Sequence, residues 1–273
     1  MLEPIEYLAS KGFAVTLVLP EPDGAITAGK IAAALRPDTL LVSVMHVNNE
    51  TGIIQSLDDI GRVLASHEAF FHVDAAQGFG KRIPDLRNPR IDLISISGHK
   101  VYAPKGIGAL VTRHRGYSRP PLTPLAFGGG QERGLRPGTQ PVALIVALGK
   151  AAELCLRDHS KREARWLELK SQALAAFREL GGVPTGDQAK ALSTTLNIAI
   201  PGLDSDAAMV ALKDIVAISN GAACTSQNYT ASHVLSAMGL PEDQLKGALR
   251  ISWCHLTPDP PWATVIEMLK SLK

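Results

Sequence analysis

Aromatic residues are scarce in this 273-residue chain, phenylalanine, tryptophan and tyrosine together making 5% of it. Cysteine is scarcer still: Cys155, Cys224 and Cys254 stand far apart, with no C-x-x-C pair. So sparse and odd a set argues against a disulfide framework and fits a reducing cytoplasm. The two N-x-[ST] triplets, Asn49-Glu50-Thr51 and Asn228-Tyr229-Thr230, then read as chance matches and not as glycosylation sites. Long apolar runs are also missing. Nothing approaches the ~18 consecutive apolar residues of a membrane span, and the most apolar stretch, Pro141 to Leu148, ends at Gly149-Lys150. No basic flank followed by an apolar segment opens the chain, so no secretory signal is expected. An excess of one charge is absent: 28 Lys and Arg against 26 Asp and Glu leave +2, which gives no footprint for direct binding of nucleic acid. Three cysteines and eight histidines without zinc spacing make a resident metal unexpected.

What is present is an ordinary globular composition, 45% hydrophobic and 20% charged. A chain of this length buries roughly three quarters of its unfolded surface and needs no staples. Its first half alternates two periodicities. Glu3 to Ser10 reads as helix stopped by Lys11-Gly12, and Thr27 to Leu35 as helix with Thr27 as N-cap. Ser56 opens a further helix in a loose capping box with Asp59. Strands are expected over residues 13–19, 39–47, 69–73, 91–96 and 108–112, and strands separated by helices imply a mainly parallel α/β sheet. From Gly128 to Gly138 the chain is a glycine-rich, charged loop, followed by helical periodicity from Pro141 to about Arg178. Shorter strands (193–200, 215–219, 249–252) and helices (205–212, 231–237, 261–272) then suggest a smaller α+β domain.

Two strand ends carry chemistry. In His72-Val73-Asp74-Ala75-Ala76-Gln77 an aspartate emerges where a buried strand becomes a loop, the place where open α/β sheets bind ligands. Such a carboxylate suits a cationic partner, a protonated ring nitrogen included; it equally suits a helix N-cap. In Ser95-Ile96-Ser97-Gly98-His99-Lys100 a lysine follows a buried strand, where a desolvated amine becomes nucleophilic toward an aldehyde. Ser97 and His99 beside it are suited to a phosphate; the plainer reading of Lys100 is a solvated turn lysine. His46 and His72 flank buried strands and are expected to be packed and hydrogen-bonded, not ligands.

Taken together, these two motifs resemble the pyridoxal-phosphate enzymes of fold type I. More closely, from residue 1 to about 260, the chain resembles the cysteine desulfurases of the NifS/IscS kind in the class V aminotransferase superfamily. The resemblance rests on Met45 to Gly52, His72 to Gln77, Ser97 to Lys100, Gly128 to Thr139, and Asn220 to Ser226. It implies a PLP-binding large domain over residues 1–155, incomplete at its N-terminus, and a small C-terminal domain with the catalytic cysteine loop over 156–273. By matched position, Lys100 corresponds to the lysine that carries pyridoxal 5'-phosphate, and Asp74 to the partner of the pyridinium nitrogen. Asn49 and Gln77 correspond to ligands of the ring's phenolic oxygen, and Ser97 and His99 to phosphate ligands. Thr139 corresponds to a threonine that reaches the phosphate from the other subunit, which implies a homodimer. Arg250, with Asn49, corresponds to the group that clamps the substrate carboxylate, a planar anion matched to a guanidinium fork. Cys224 lies among small residues in a segment suited to an exposed, reactive thiol. It corresponds to the cysteine that takes sulfur from L-cysteine as a persulfide, releasing alanine, and that can transiently ligate an iron–sulfur cluster. Cys155 and Cys254 read as inert.

The implied partners are protein sulfur acceptors, such as iron–sulfur scaffolds or tRNA or DNA thiolation proteins. The stretch from Gly78 to Leu86 and the Gly128 to Thr139 loop look like the desulfurases of DNA phosphorothioation systems. The family pattern places a threonine-bearing phosphate loop and a ring-stacking histidine ahead of the position of Met1, so the chain is expected to lack part of the large domain. Two other readings stay open at this point: a truncated, non-catalytic homologue that dimerises or binds sulfur acceptors, and a selenocysteine lyase or other class V aminotransferase.

Overall fold

The computed structural model describes residues 2–220 and 232–273. The chain begins with helix α1 (Leu2–Ser10), none of whose residues is buried, and continues through α2 (Ala28–Ala34), β1 (Leu41–Met45), α3 (Leu57–Val63), β2 (Phe70–Asp74), β3 (Leu93–Ser97) and β4 (Gly108–Thr112). Then come α4 (Val142–Arg157), α5 (His159–Arg178), β5 (Val183–Pro184), β6 (Thr195–Ala199), α6 (Ser205–Leu212), α7 (His233–Ala237), α8 (Glu242–Lys246), β7 (Ala248–Ser252) and α9 (Trp262–Lys270).

The first sheet has the order β1-β2-β3-β4. Its first three strands are parallel, in the register Val44↔Val73 and Asp74↔Ser95. Helices α2 and α3 cover one face, where Ile31, Leu57, Ile60 and Leu64 pack on Val44, Phe71, Val73 and Ile94. β4 runs antiparallel to β3. The reason is the length of the link: residues 98–107 are too few for the crossover of a dozen or more residues that a parallel neighbour requires. The second sheet, order β5-β6-β7, is antiparallel throughout. Its core joins Leu196, Ile198 and Ile251 to Trp166, Leu169 and Phe177 of α5 and to Val265, Ile266 and Leu269 of α9.

Three expectations need correction. The alternating segment 13–19 forms no strand: Phe13, Val15, Leu17 and Leu19 point into solvent, and its hydrogen bonds from Arg36 go to Ala14 O and Thr16 Oγ1, not to a ladder. Residues 215–219 contribute only a single bridge, Ser219 to Arg250. The helical stretch from Pro141 to Arg178 is two helices that bend at Asp158 (φ −102°, ψ 9°). No helix among the described residues is long and apolar enough to cross a membrane.

Candidate active site

The carboxyl ends of β1, β2 and β3 lie side by side, because parallel strands in register end on one edge. Past β1, the Asn48 side chain accepts the backbone N–H groups of Glu50 and Thr51, both at 2.9 Å, and so folds the turn that presents Asn49. Asp74 is the last residue of β2. Its carboxylate accepts the N–H of Ala76 at 3.0 Å, and its carbonyl accepts the N–H of His46 at 2.9 Å. Gln77 follows in a turn that rests on Gly78, where a Cβ would stand 2.1 Å from His46 Nδ1; the histidine ring fills the space a side chain would need. Ser97 ends β3, and the single 3₁₀ turn Gly98–Val101 carries His99 and Lys100. Gly98 is tied to the return of the chain, since a Cβ there would meet the Ile107 carbonyl at 2.7 Å. The turn closes on Tyr102 in the left-handed region (φ 70°), which is costly for a bulky side chain and is held by a contact of Arg162 over its ring and an edge contact to His255. Burial pushes the Tyr102 phenol up to about 12.

Beneath the strand ends runs a polar row. Ser43, His72 and Ser95 lie on adjacent strands, with 2.7 Å from Ser43 Oγ to His72 Nδ1 and 2.7 Å from His72 Nε2 to Ser95 Oγ. Burial lowers the His72 pKa against the opposing pull of Asp74. His46 is fully buried, with Nε2 3.1 Å from Asp85 Oδ2. Burial pushes the Asp85 carboxyl up, but the hydrogen bonds from His46 and Arg82 outweigh it and hold the group below its usual range. Both histidines are packed and hydrogen-bonded, as their positions beside buried strands suggested. Among the described residues no group of three or more His, Cys, Asp or Glu side chains could hold a metal ion.

Lys100 is exposed, and its amine makes no hydrogen bond to the described residues; the side-chain amides of Asn49 and Gln77 are equally unengaged. Ser97 Oγ and His99 Nδ1 are 3.1 Å apart. Arg250, in the middle of β7, reaches across from the second sheet and donates to the Asn49 carbonyl at 3.2 Å, which brings the two together. Thr139 sits on the exposed loop before α4, and no hydrogen bond joins it to the other residues predicted for the site. Cys224 lies outside the described residues. The chain on either side of that segment is anchored beside the site: Ser219 exchanges backbone hydrogen bonds with Arg250, and Ser232 donates to the Glu50 carboxylate.

Two side chains here carry more than the sequence suggested. Glu50 is 4% exposed, and burial raises its pKa against the hydrogen bond from Ser232 and the charges of His233 and Arg250. Lys81 sends its amine between the two loops, 3.1 Å from Gln77 O and 3.4 Å from Lys100 O. The signal for Glu50 was its place inside the Asn48-Asn49-Glu50 turn. Lys81 had none beyond its closeness to Gln77. The assembled set offers a free primary amine, a carboxylate at a strand end, two free amides, a hydroxyl with an imidazole, and a guanidinium facing them.

The profile of the family "Aminotransferase class-V" matches residues 1–258. The chain is 39% identical over 271 residues to the cysteine desulfurase IscS of Vibrio vulnificus, and 37% identical over 272 to that of Mannheimia succiniciproducens. These matches cover 99% of this chain and 66% and 67% of the relatives, so the chain spans about two thirds of their length. Among solved structures it is similar to DndA from Streptomyces lividans, with a TM-score of 0.82 and 47% identity over 93% of this chain and 71% of that one. A NifS-like protein aligns over 99% of this chain and 70% of its own, with a TM-score of 0.84 and 32% identity. SspA, solved in complex with cysteine, aligns with a TM-score of 0.77 and 40% identity over 92% of this chain and 69% of its own. By its profile match, its relatives and its fold, the chain belongs to the class V aminotransferase family.

Proposed function

We propose that this chain carries the site of a cysteine desulfurase that uses pyridoxal 5'-phosphate. The observation that carries the reading is the convergence of a free lysine amine (Lys100), a strand-end carboxylate (Asp74) and two free amides (Asn49, Gln77) on one sheet edge, with Arg250 bonded to Asn49 from the other sheet. The donor set fits the cofactor. Lys100 offers the amine its aldehyde requires, Asp74 a negative charge for a protonated ring nitrogen, and Asn49 and Gln77 hydrogen bonds for the ring oxygen. Ser97 and His99 supply a hydroxyl and an imidazole for the phosphate. Thr139 would serve the phosphate of a second subunit, in a homodimer. When bound, pyridoxal phosphate supplies the electron sink that loosens bonds at the substrate's α and β carbons.

The chain's own groups do the rest. Arg250 holds the α-carboxylate of L-cysteine, its fork oriented by the Asn49 carbonyl. Asp74 keeps the ring nitrogen protonated. Lys100, a primary amine with no hydrogen bond to the described residues, would move the proton at the substrate's α carbon. Cys224 takes the sulfur: the substrate's Cβ–S bond breaks, an S–S bond forms to the Cys224 thiolate, and the remaining carbon skeleton gains a proton and leaves as alanine. The persulfide then passes to a protein acceptor. The likeness to DndA supports an acceptor in DNA phosphorothioation ahead of iron–sulfur assembly or tRNA thiolation. The similarity to SspA, solved with cysteine, supports L-cysteine as substrate.

The test is alanine release from L-cysteine by the chain supplied with pyridoxal phosphate. Wild type forms alanine and a protein persulfide, Lys100→Ala forms neither, and Cys224→Ala loses the persulfide. Absence of alanine from wild type contradicts the reading. Persulfide-independent turnover of selenocysteine by Cys224→Ala would move the assignment to a selenocysteine lyase.

A further inference from the structure

We propose that Lys81 is a positioning residue that locks the turn bearing Lys100 onto the loop bearing Gln77. Its amine is the one side-chain group among the described residues that hydrogen-bonds both, donating to Gln77 O at 3.1 Å and to Lys100 O at 3.4 Å. The lock therefore acts on the backbone of Lys100, leaving its amine free. The importance of this position to chemistry rests on the reading of Lys100 as the cofactor lysine; the lock itself does not.

Local geometry explains how a lysine comes to lie there. Gly80 takes φ +77°, and a Cβ on it would stand 2.8 Å from Val101 Cγ1 and 3.0 Å from Cys155 Sγ. Only a glycine lets the chain press this close to the Lys100 turn and turn Lys81 inward. Lys81 is then fixed from behind: its carbonyl accepts from His159 Nε2 at 2.8 Å, at the start of α5. Val101, Ala103, Ala151 and Cys155 close a small apolar cluster under the turn. The charged or titratable groups facing the amine are Lys100 in the turn and Cys155 on α4. Arg162 of α5 stands behind Cys155, 3.5 Å from its sulfur. Burial brings the Lys81 amine down to about 8, Cys155 opposing and Lys100 adding to the shift. A half-buried amine aimed at two carbonyls is placed by the fold, not left free in solvent.

Such a lock has a signature distinct from general stabilisation. Replacing Lys81 by methionine, unbranched, apolar and one atom shorter, removes both donations together with the half-buried charge. Global stability should therefore hold or rise while the turn loosens locally. The experiment is amide hydrogen exchange at pH 7 on the full chain without added cofactor, read at Gly98, Tyr102 and Ala103, whose N–H groups bond Ile107 O, Gly98 O and Gly98 O. We expect Lys81→Met to exchange there about tenfold faster than wild type, the loss of one hydrogen bond from a charged donor, with amides of β6 and β7 unchanged. Lys81→Arg, which keeps reach and donors, should restore protection. Should the methionine variant not fold, Lys81→Gln, one atom too short to span both carbonyls, takes its place against Lys81→Arg.

Equal exchange at these three amides in the wild type and in the methionine or glutamine variant overturns the proposal, as does a uniform increase over the whole chain. A second arm separates it from the cofactor reading: pyridoxal phosphate is added, trapped by borohydride, and its site of attachment located by mass spectrometry. Slower capture at Lys100 in Lys81→Met links the lock to the site. No capture at Lys100 in wild type, with the exchange difference intact, sinks the cofactor reading and leaves the lock standing.

Discussion

The two sheets divide burial and chemistry unequally. β6 is buried almost along its length, Leu196, Asn197, Ile198 and Ala199 being out of solvent, and it sits between β5 and β7 under α5 and α9. The first sheet is dry on the face that meets α2 and α3. On the other it carries the half-buried row Ser43, His72 and Ser95, and its edge strand β4 is exposed. The groups proposed for the site sit where the first sheet stops, on turns held by side-chain-to-backbone hydrogen bonds. The second sheet contributes one side chain to the proposed site, Arg250, from the middle of β7. The lesson is physical: a guanidinium clamp gains from a fixed support, whereas an amine that exchanges bonding partners needs a short turn with local ties.

That division can be broken experimentally. The largest effect is expected from Phe177→Ala in the second core, about 3–5 kcal/mol for a fully buried aromatic, read by denaturant unfolding. Exchange at Gly98, Tyr102 and Ala103 should not change in the folded fraction; if it does, the two regions are one cooperative unit. A smaller effect concerns pH. The Lys81 amine titrates near 8 in the folded chain and near its ordinary 10.5 when unfolded. Between those values the unfolded state binds more protons, so stability rises with pH, by at most about 3 kcal/mol. Unfolding midpoints from pH 7 to 10.5 should show this rise in wild type, and the rise should shrink in Lys81→Met. Smaller still is Ser232→Ala. It removes an N-cap that accepts Leu235 N–H at 3.1 Å and the hydroxyl bonded to Glu50, an expected loss of about 1–2 kcal/mol. Arg250 is anchored separately, so this variant sharpens the comparison by showing how much of the tie between sheets runs through Glu50.

Much of the fold was legible in the sequence because it follows from local periodicity. The stretch from Gly108 to Thr112 is a strand, and Thr27 caps α2 by accepting the Lys30 N–H at 3.3 Å. Ser56 stands at the N-cap expected, though its hydroxyl bonds the Asp59 carboxylate at 2.5 Å instead of a backbone N–H. What was not legible depends on distant partners. Residues 13–19 alternate like a strand, but a strand exists only when another backbone pairs with it, and the sequence does not show that none does. Antiparallel β4 follows from the short link after β3, a constraint of connection and not of composition. Lys81 beside Arg82 looks like a solvated surface lysine; it is half-buried, its carbonyl bonded by His159 and its amine facing Cys155, on helices more than seventy residues on. Glu50 owes its raised pKa to burial, and the Ser232 hydroxyl that opposes the shift lies 182 residues away in sequence. The motif residues at the strand ends were visible because β-strand termini place them locally.

The central claim is that Lys100 and Cys224 act in one reaction on cysteine. Its most direct test is to supply the chain with pyridoxal phosphate and sulfur-labelled L-cysteine, then locate the label and the cofactor by peptide mass spectrometry after trapping. The account predicts label on Cys224 alone, cofactor on Lys100 alone, and no label in Lys100→Ala. Label on Cys155 or Cys254, or label on Cys224 that persists without Lys100, would contradict it.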